Sequence, residues 1–166
     1  MIMTPSLRKC ALTAHITSSV GLLGAAASFL ALAIAGLASQ NAQMIRAAYL
    51  AMELAAWFVI VPLAFASLLT GIVQSIGTTW GLFQHYWVLA KLLLSVFVTI
   101  VLLLQMKLIG YLANVAANSI LTSADLIEAR LSLVVHAAGG LLVLLVPVAL
   151  SVYKPRGITP YGRRQA

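Results

Sequence analysis

Four long apolar runs limit this chain to one kind of fold. They cover residues 12–37, 47–76, 86–112 and 131–153, and each exceeds the roughly 20 residues that a helix needs to cross a membrane. Lipid offers the peptide backbone no hydrogen-bond partner, so spans of this kind must be helical. The sequence therefore predicts an all-α, integral-membrane four-helix bundle that forms a single domain over residues 1–166.

The composition supports a membrane protein and excludes two other classes. The chain is 63% hydrophobic and 8% charged, whereas globular chains average about 45–50% apolar and about 25% charged residues. The net charge of +7 lies mostly at the two chain ends, which is typical of orientation signals and not of a nucleic-acid-binding face. The expected partner is the lipid bilayer, with no nucleic acid. The first apolar run is also too long for a signal peptide.

The distribution of basic residues predicts how the bundle is oriented. An even number of spans puts both chain ends on one side of the membrane. Six basic residues flank the spans on that side and three on the other, and the side richer in Lys and Arg is normally cytoplasmic. We therefore expect both termini in the cytoplasm and the protein in a bacterial inner (plasma) membrane. The six are Arg8, Lys9, Lys154, Arg156, Arg163 and Arg164, and the three are Arg46, Lys107 and Arg130.

Two lysines lie in the third apolar run, Lys91 near its start and Lys107 near its end. Trp80, Phe83, Tyr86 and Trp87 form an aromatic cluster of the kind found at membrane interfaces, and Lys91 follows four residues after Trp87. Residues four apart share a helix face. A charged side chain inside the hydrocarbon costs roughly 3 kcal/mol or more unless it pairs, lines a cavity or snorkels to the headgroups. Lys91 is therefore either part of a site or a snorkelling residue beside Trp87.

The first layer of polar groups lies near the side that carries the termini. His15 enters there on the first span and Lys91 on the third, with His85 and Trp87 just before it. The first and third helices of a bundle can face each other across its core, so His15 and Lys91 are predicted to converge on one cavity. His15 is a candidate haem ligand, with His85 or Lys91 opposite. The alternative is that His15 is merely hydrogen-bonded inside the bundle.

A second polar layer lies toward the other side. It contains Glu53 on the second span, Gln105 and Met106 on the third, His136 on the fourth and Met52 beside Glu53. Histidine with thioether sulfur suits copper or haem, since soft ligands favour Cu(I). Alternatively, Glu53 and His136 neutralise each other. We expect both to face the bundle interior, with at least one within reach of the other or of Gln105.

Several short patterns resemble the CopD-like superfamily of bacterial membrane proteins, which includes copper-resistance CopD domains and HemJ-type protoporphyrinogen oxidases. They are His15 followed by an apolar stretch and Gly24, the Trp87-x-x-x-Lys91 motif, and the tail from Tyr153 to Gly162. The chain is similar to the four-helix members of that superfamily over nearly its full length. In the oxidase branch a histidine on the first helix and a lysine on the third are associated with haem binding and activity. The resemblance assigns these roles to His15 and Lys91.

Two positions depart from the pattern of the superfamily. Leu22 stands where relatives usually have tryptophan, and Gln105 stands where they often carry histidine. The second departure replaces a residue of metal-ligand type, and so bears on catalytic haem chemistry rather than on the fold.

These observations predict a small multi-pass membrane protein that binds a redox cofactor, haem b or copper, within its helix bundle. The alternative is a cofactor-free accessory subunit of a larger membrane complex or of a homo-oligomer. A third hypothesis is a proton or metal-ion transporter that uses Lys91, Glu53 and His136, and four helices would then require oligomerisation.

Overall fold

The computed structural model describes residues 3–78, 81–118 and 126–164. Trp80 of the aromatic cluster lies outside them. The described chain contains six α-helices and one π-helical turn. These are α1 (Pro5–Ala38), α2 (Ala42–Ala55), the π-helical turn (Ala56–Ile60), α3 (Val61–Ile76), α4 (Tyr86–Asn118), α5 (Ile127–Tyr153) and α6 (Pro160–Arg163).

The predicted four-helix membrane bundle is confirmed. Four helical segments are long and apolar enough to cross a membrane: Pro5–Ala38, Ala42–Ile76, Tyr86–Asn118 and Ile127–Tyr153. Each contains one of the predicted apolar runs and extends beyond it at one or both ends, because helical hydrogen bonding continues into flanking polar residues. α1 packs against α2, α3 and α5, whereas α4 packs against α2, α3 and α5. The first and third spans are therefore diagonal to each other across the bundle.

The second span is continuous through Pro62 because it contains the π-helical turn. Proline has no N–H to donate and its ring crowds the carbonyl four residues earlier. The chain accommodates this just before Pro62, where the N–H of Val61 donates to the carbonyl of Ala56, five residues back. π-Helical segments are rare and occur mostly as single turns inside α-helices, as here.

The two ends of the bundle differ in their packing. We call the end that carries residue 3 and the tail 154–164 the termini end, and the opposite end the far end. The largest fully buried side chains are Tyr49, Met52, Leu112 and Leu133, which all belong to one apolar cluster. That cluster fills the middle and far end, whereas the termini end contains a polar cavity.

Arg130 is buried at the far end, although the sequence presents it as a flanking charge. Only 7% of the residue is exposed. Its guanidinium donates to the hydroxyl of Tyr49 at 3.1 Å and to the carbonyls of Gly36 and Leu37. These carbonyls lie in the last turn of α1, where backbone acceptors lack helical partners. An arginine from α5 thus caps α1.

The C-terminal tail folds back onto the segment that precedes α4. Lys154, in the left-handed conformation at φ 43°, ends α5. The backbone N–H of Thr159 donates to Gln84 O at 2.9 Å and that of Tyr86 donates to Gly157 O at 3.3 Å, while the Thr159 hydroxyl donates to Phe83 O at 2.5 Å. These bonds pair the tail with residues 83–86 in a short antiparallel contact.

Candidate functional site

His15 is held in a defined orientation between α1 and α3. Its Nδ1 lies 3.1 Å from the carbonyl oxygen of Ser67 and 3.2 Å from the hydroxyl of Thr70. The Thr70 hydroxyl donates its own proton to the carbonyl of Ala66. Both atoms facing Nδ1 are therefore acceptors, so Nδ1 carries the proton. In the neutral ring this leaves the lone pair on Nε2.

A glycine on α3 makes room for the imidazole. A Cβ atom at Gly71 would lie 3.0 Å from Cε1 of His15, which is closer than ordinary van der Waals contact. One turn away, the hydroxyls of Ser19 and Ser67 are 2.7 Å apart and tie the same two helices together. The position of His15 thus depends on small and polar residues of α3 that no short motif marks in the sequence.

His15 and Lys91 line the same cavity at the termini end, as the sequence predicts. The cavity has a volume of about 360 Å³, within the range of small-molecule and cofactor sites. Its walls come from α1, α3, α4 and the end of α5. The polar side chains on these walls are Arg8, His15, Ser67, Gln74, Ser75, Thr78, Trp87, Lys91, Ser95, Ser151 and Lys154.

The cavity is cationic. Arg8, Lys91 and Lys154 contribute to its lining, and no carboxylate does so among the described residues. The ammonium of Lys91 lies 5.5 Å from the ring centroid of Trp87, within the range of a cation–π contact. Lys91 therefore makes the contact expected of a snorkelling lysine and also faces the cavity.

His85 lies beside the cavity and is part of the tail contact. Its backbone pairs with Ile158, and its ring centroid is 6.4 Å from that of Trp87. Trp87 is buried and lines the cavity, whereas His85 is not among the lining residues. Of the four residues predicted for this layer, His15, Lys91 and Trp87 share a cavity, and His85 supports its edge.

The second predicted layer does not form one cluster. Met52 and Met106 are buried in the apolar core. Glu53 is half-buried, and its Oε1 would lie 3.4 Å from a Cβ atom at Gly110. Gln105 and His136 line one apolar groove, whose walls come from α1, the second span, α4 and α5. Copper binding by His136 with Met52 or Met106 stays a prediction.

His136 is not enclosed in the bundle interior as expected, although it lines the same groove as Gln105. The residue is exposed, and its Nδ1 lies 2.7 Å from the carbonyl of Ser132, one turn earlier on α5. Its hydrogen-bond partner is therefore its own helix rather than Glu53. The rotation of α5 about its axis decides this, and the sequence does not show it.

Comparison with protein-family models, with curated proteins and with solved structures finds no match. The four spans and the termini-end cavity define the protein by its class. It is a multi-pass helical membrane protein with a cationic, histidine-containing cavity at the end of the bundle that carries both termini.

Proposed function

We propose that this membrane protein binds haem b in the termini-end cavity, where His15 would hold the iron. The observation that carries the proposal is the orientation of His15. A histidine that ligates a metal almost always donates its other ring nitrogen to a carbonyl, carboxylate or water, which fixes the tautomer. Ser67 O accepts a hydrogen bond from Nδ1 in this way, and Nε2 keeps its lone pair for the iron.

The charge of the cavity also suits haem b, which carries two propionate carboxylates. Arg8 and Lys91 line the cavity and would pair with them, and charge-assisted hydrogen bonds of this type are the strong ones. Trp87 adds an aromatic wall. Bound haem b would supply one-electron redox chemistry at its iron. The carbonyl of Ser67 would orient the imidazole of His15, and the basic side chains of the cavity would hold the haem propionates.

The termini-end cavity suits haem better than a bare copper ion, because His15 is the one imidazole among its described lining residues, which include no Cys, Met, Asp or Glu. No group of three or more His, Cys, Asp or Glu side chains suited to one metal ion occurs among the described residues. A free ion needs several protein ligands, whereas a porphyrin supplies four nitrogens and leaves the protein only the axial positions. The resemblance to the CopD-like superfamily points to the same two residues, His15 and Lys91.

The visible absorption spectrum of the purified protein, with haem titrated into the detergent-solubilised chain, tests the proposal. We expect a Soret band with the unaltered protein. His15→Ala should weaken haem binding at least tenfold, because it removes the ligand, and Lys91→Met should weaken it roughly ten- to 150-fold, as expected for one lost hydrogen bond to a charged group. His136→Ala is the matched control, since His136 lies outside this cavity, and its spectrum should be unchanged.

Two results would contradict the proposal. One is a colourless protein that takes up no haem. The other is a Soret band that survives in His15→Ala and in Lys91→Met with its position and intensity unchanged. Either would favour the cofactor-free accessory subunit.

A further inference from the structure

The groove lined by Gln105 and His136 is a second cavity, separate from the proposed haem site, and its walls come from α1, the second span, α4 and α5. Its volume is about 380 Å³. Its lining is apolar except for two polar side chains, Gln105 on α4 and His136 on α5. Ligand sites are typically apolar cavities with a few well-placed polar groups. Both polar residues lie on helices that span the membrane.

The two polar groups offer complementary hydrogen bonding. The carbonyl of Ser132 accepts from Nδ1 of His136, so Nε2 of the neutral ring is an acceptor that faces no described partner. The carboxamide of Gln105 supplies both donors and an acceptor. Together they can accept a hydrogen bond from a hydroxyl group and donate one to a carbonyl group.

The depth of these groups distinguishes the ligand from a phospholipid. His136 lies five residues inside the apolar run 131–153, which corresponds to about 8 Å along the helix. Gln105 lies seven residues inside the apolar run 86–112, or about 10 Å. Phospholipid headgroups stay outside a hydrocarbon core about 30 Å thick. The groove therefore suits a molecule whose polar head itself lies within the hydrocarbon.

We propose that this groove binds an isoprenoid quinone, with the head group between Gln105 and His136 and the isoprenoid chain along the apolar walls. A quinone carries two ring oxygens that accept hydrogen bonds, and in the reduced quinol they also donate. Its remaining surface is apolar and matches the walls of α4 and α5. The inference does not depend on the haem proposal, because the two cavities share no lining residue.

Photolabelling tests the proposal. The protein in phosphatidylcholine nanodiscs is irradiated with an azido-substituted short-chain quinone, with and without excess decylubiquinone, and labelled peptides are located by mass spectrometry. We expect labelling of α4 and α5 around residues 98–109 and 133–144 that decylubiquinone suppresses. His136→Leu and Gln105→Leu should each weaken this saturable labelling roughly three- to tenfold, as expected for one lost hydrogen bond.

Gly139→Leu provides a variant that fills the groove without touching its polar groups. Gly139 lines the groove, and a Cβ atom there meets nothing within 4 Å, so a new side chain starts in open space, and leucine favours the helix more than glycine does. Saturable labelling should be lost while thermal stability is retained. His15→Ala is the control for the other cavity, and its labelling should stay within twofold of the unaltered protein.

Labelling that decylubiquinone does not suppress would overturn the proposal, and so would labelling that is equal in the unaltered protein and in Gly139→Leu. In either case lipid chains or a second copy of the protein would be the better occupant. If the unaltered protein binds no haem but shows labelling that decylubiquinone suppresses, only the haem proposal is overturned.

Discussion

The guanidinium of Arg130 joins three spans at the far end of the bundle. It extends from α5 to Tyr49 on α2, and a cation–π distance of 5.9 Å accompanies the hydrogen bond to that side chain. It also satisfies carbonyls at the end of α1. Basic side chains near a helix C-terminus are favourable because they complement its dipole and its free acceptors.

Arg130→Met should lower the free energy of unfolding by about 2–4 kcal/mol, since a hydrogen bond to a charged group contributes about 1.5–3 kcal/mol and its partners would stay buried. Thermal unfolding in detergent, followed by circular dichroism, measures the change. Arg46→Met is the matched control, because Arg46 is exposed and such changes usually stay within about 0.5 kcal/mol. Equal stability of the two variants would mean that Arg130 does not cap α1.

At the scale of elements, the tail and the segment before α4 depend on a glycine. A Cβ atom at Gly162 would lie 2.6 Å from the carbonyl oxygen of Gln84 and 2.7 Å from a side-chain methyl of Ile158. The first of these is backbone and cannot move aside cheaply. Thr159 also caps α6, because its hydroxyl accepts from the N–H of Gly162 at 3.1 Å. The docked tail needs both residues.

Gly162→Ala should release the tail from residues 83–86. Overpacking of this kind costs typically 1–3 kcal/mol, which corresponds to a roughly five- to hundredfold faster hydrogen exchange at the amides of Thr159 and Tyr86. Mass spectrometry or NMR of the purified protein measures that exchange. Arg163→Ala, an exposed neighbour on the same helix, should leave it unchanged, and unchanged exchange in Gly162→Ala would show that the tail does not dock through this contact.

At the scale of the whole molecule, the charge distribution favours one orientation in the membrane. Lys9, Arg156 and Arg163 are exposed at the termini end, as are most of the other basic residues there. At the far end Arg130 is buried and hydrogen-bonded inside the bundle. The excess of basic residues that flank the spans is therefore at the termini end, which the positive-inside rule assigns to the cytoplasm.

Reporter fusions test this orientation. Fusions at residue 166 and after Met1 should report cytoplasm, and a fusion at Ser119, outside the described residues, should report the opposite side. A variant with the four basic residues of the tail changed to Gln serves as comparison, since it weakens the asymmetry and should yield a mixed signal. The reverse pattern in the unaltered protein would mean that other features outweigh the charges.

Membrane spans could be predicted from the sequence because they depend on local properties. A run of more than about 20 apolar residues must satisfy its backbone internally, whatever its neighbours are. For the same reason His15 and Lys91 could be identified as candidates, since ionisable groups inside such runs are costly and rare. Their depth along each helix follows from the rise per residue, and this was enough to place both in one layer.

The remaining features depended on how the helices are rotated and which distant segments meet. The rotation of α5 exposes His136 and buries Arg130, although both lie near the start of the same apolar run. Three contacts join residues more than fifty positions apart in the sequence. They are the hydrogen bonds of Arg130 to α1 and α2, the packing of His15 against Gly71, and the hydrogen bonds that dock the tail. The composition and order of residues determined a four-span membrane bundle. Only the tertiary packing decided which of its polar groups share a cavity, because that choice rests on contacts between helices rather than on the pattern within any one of them.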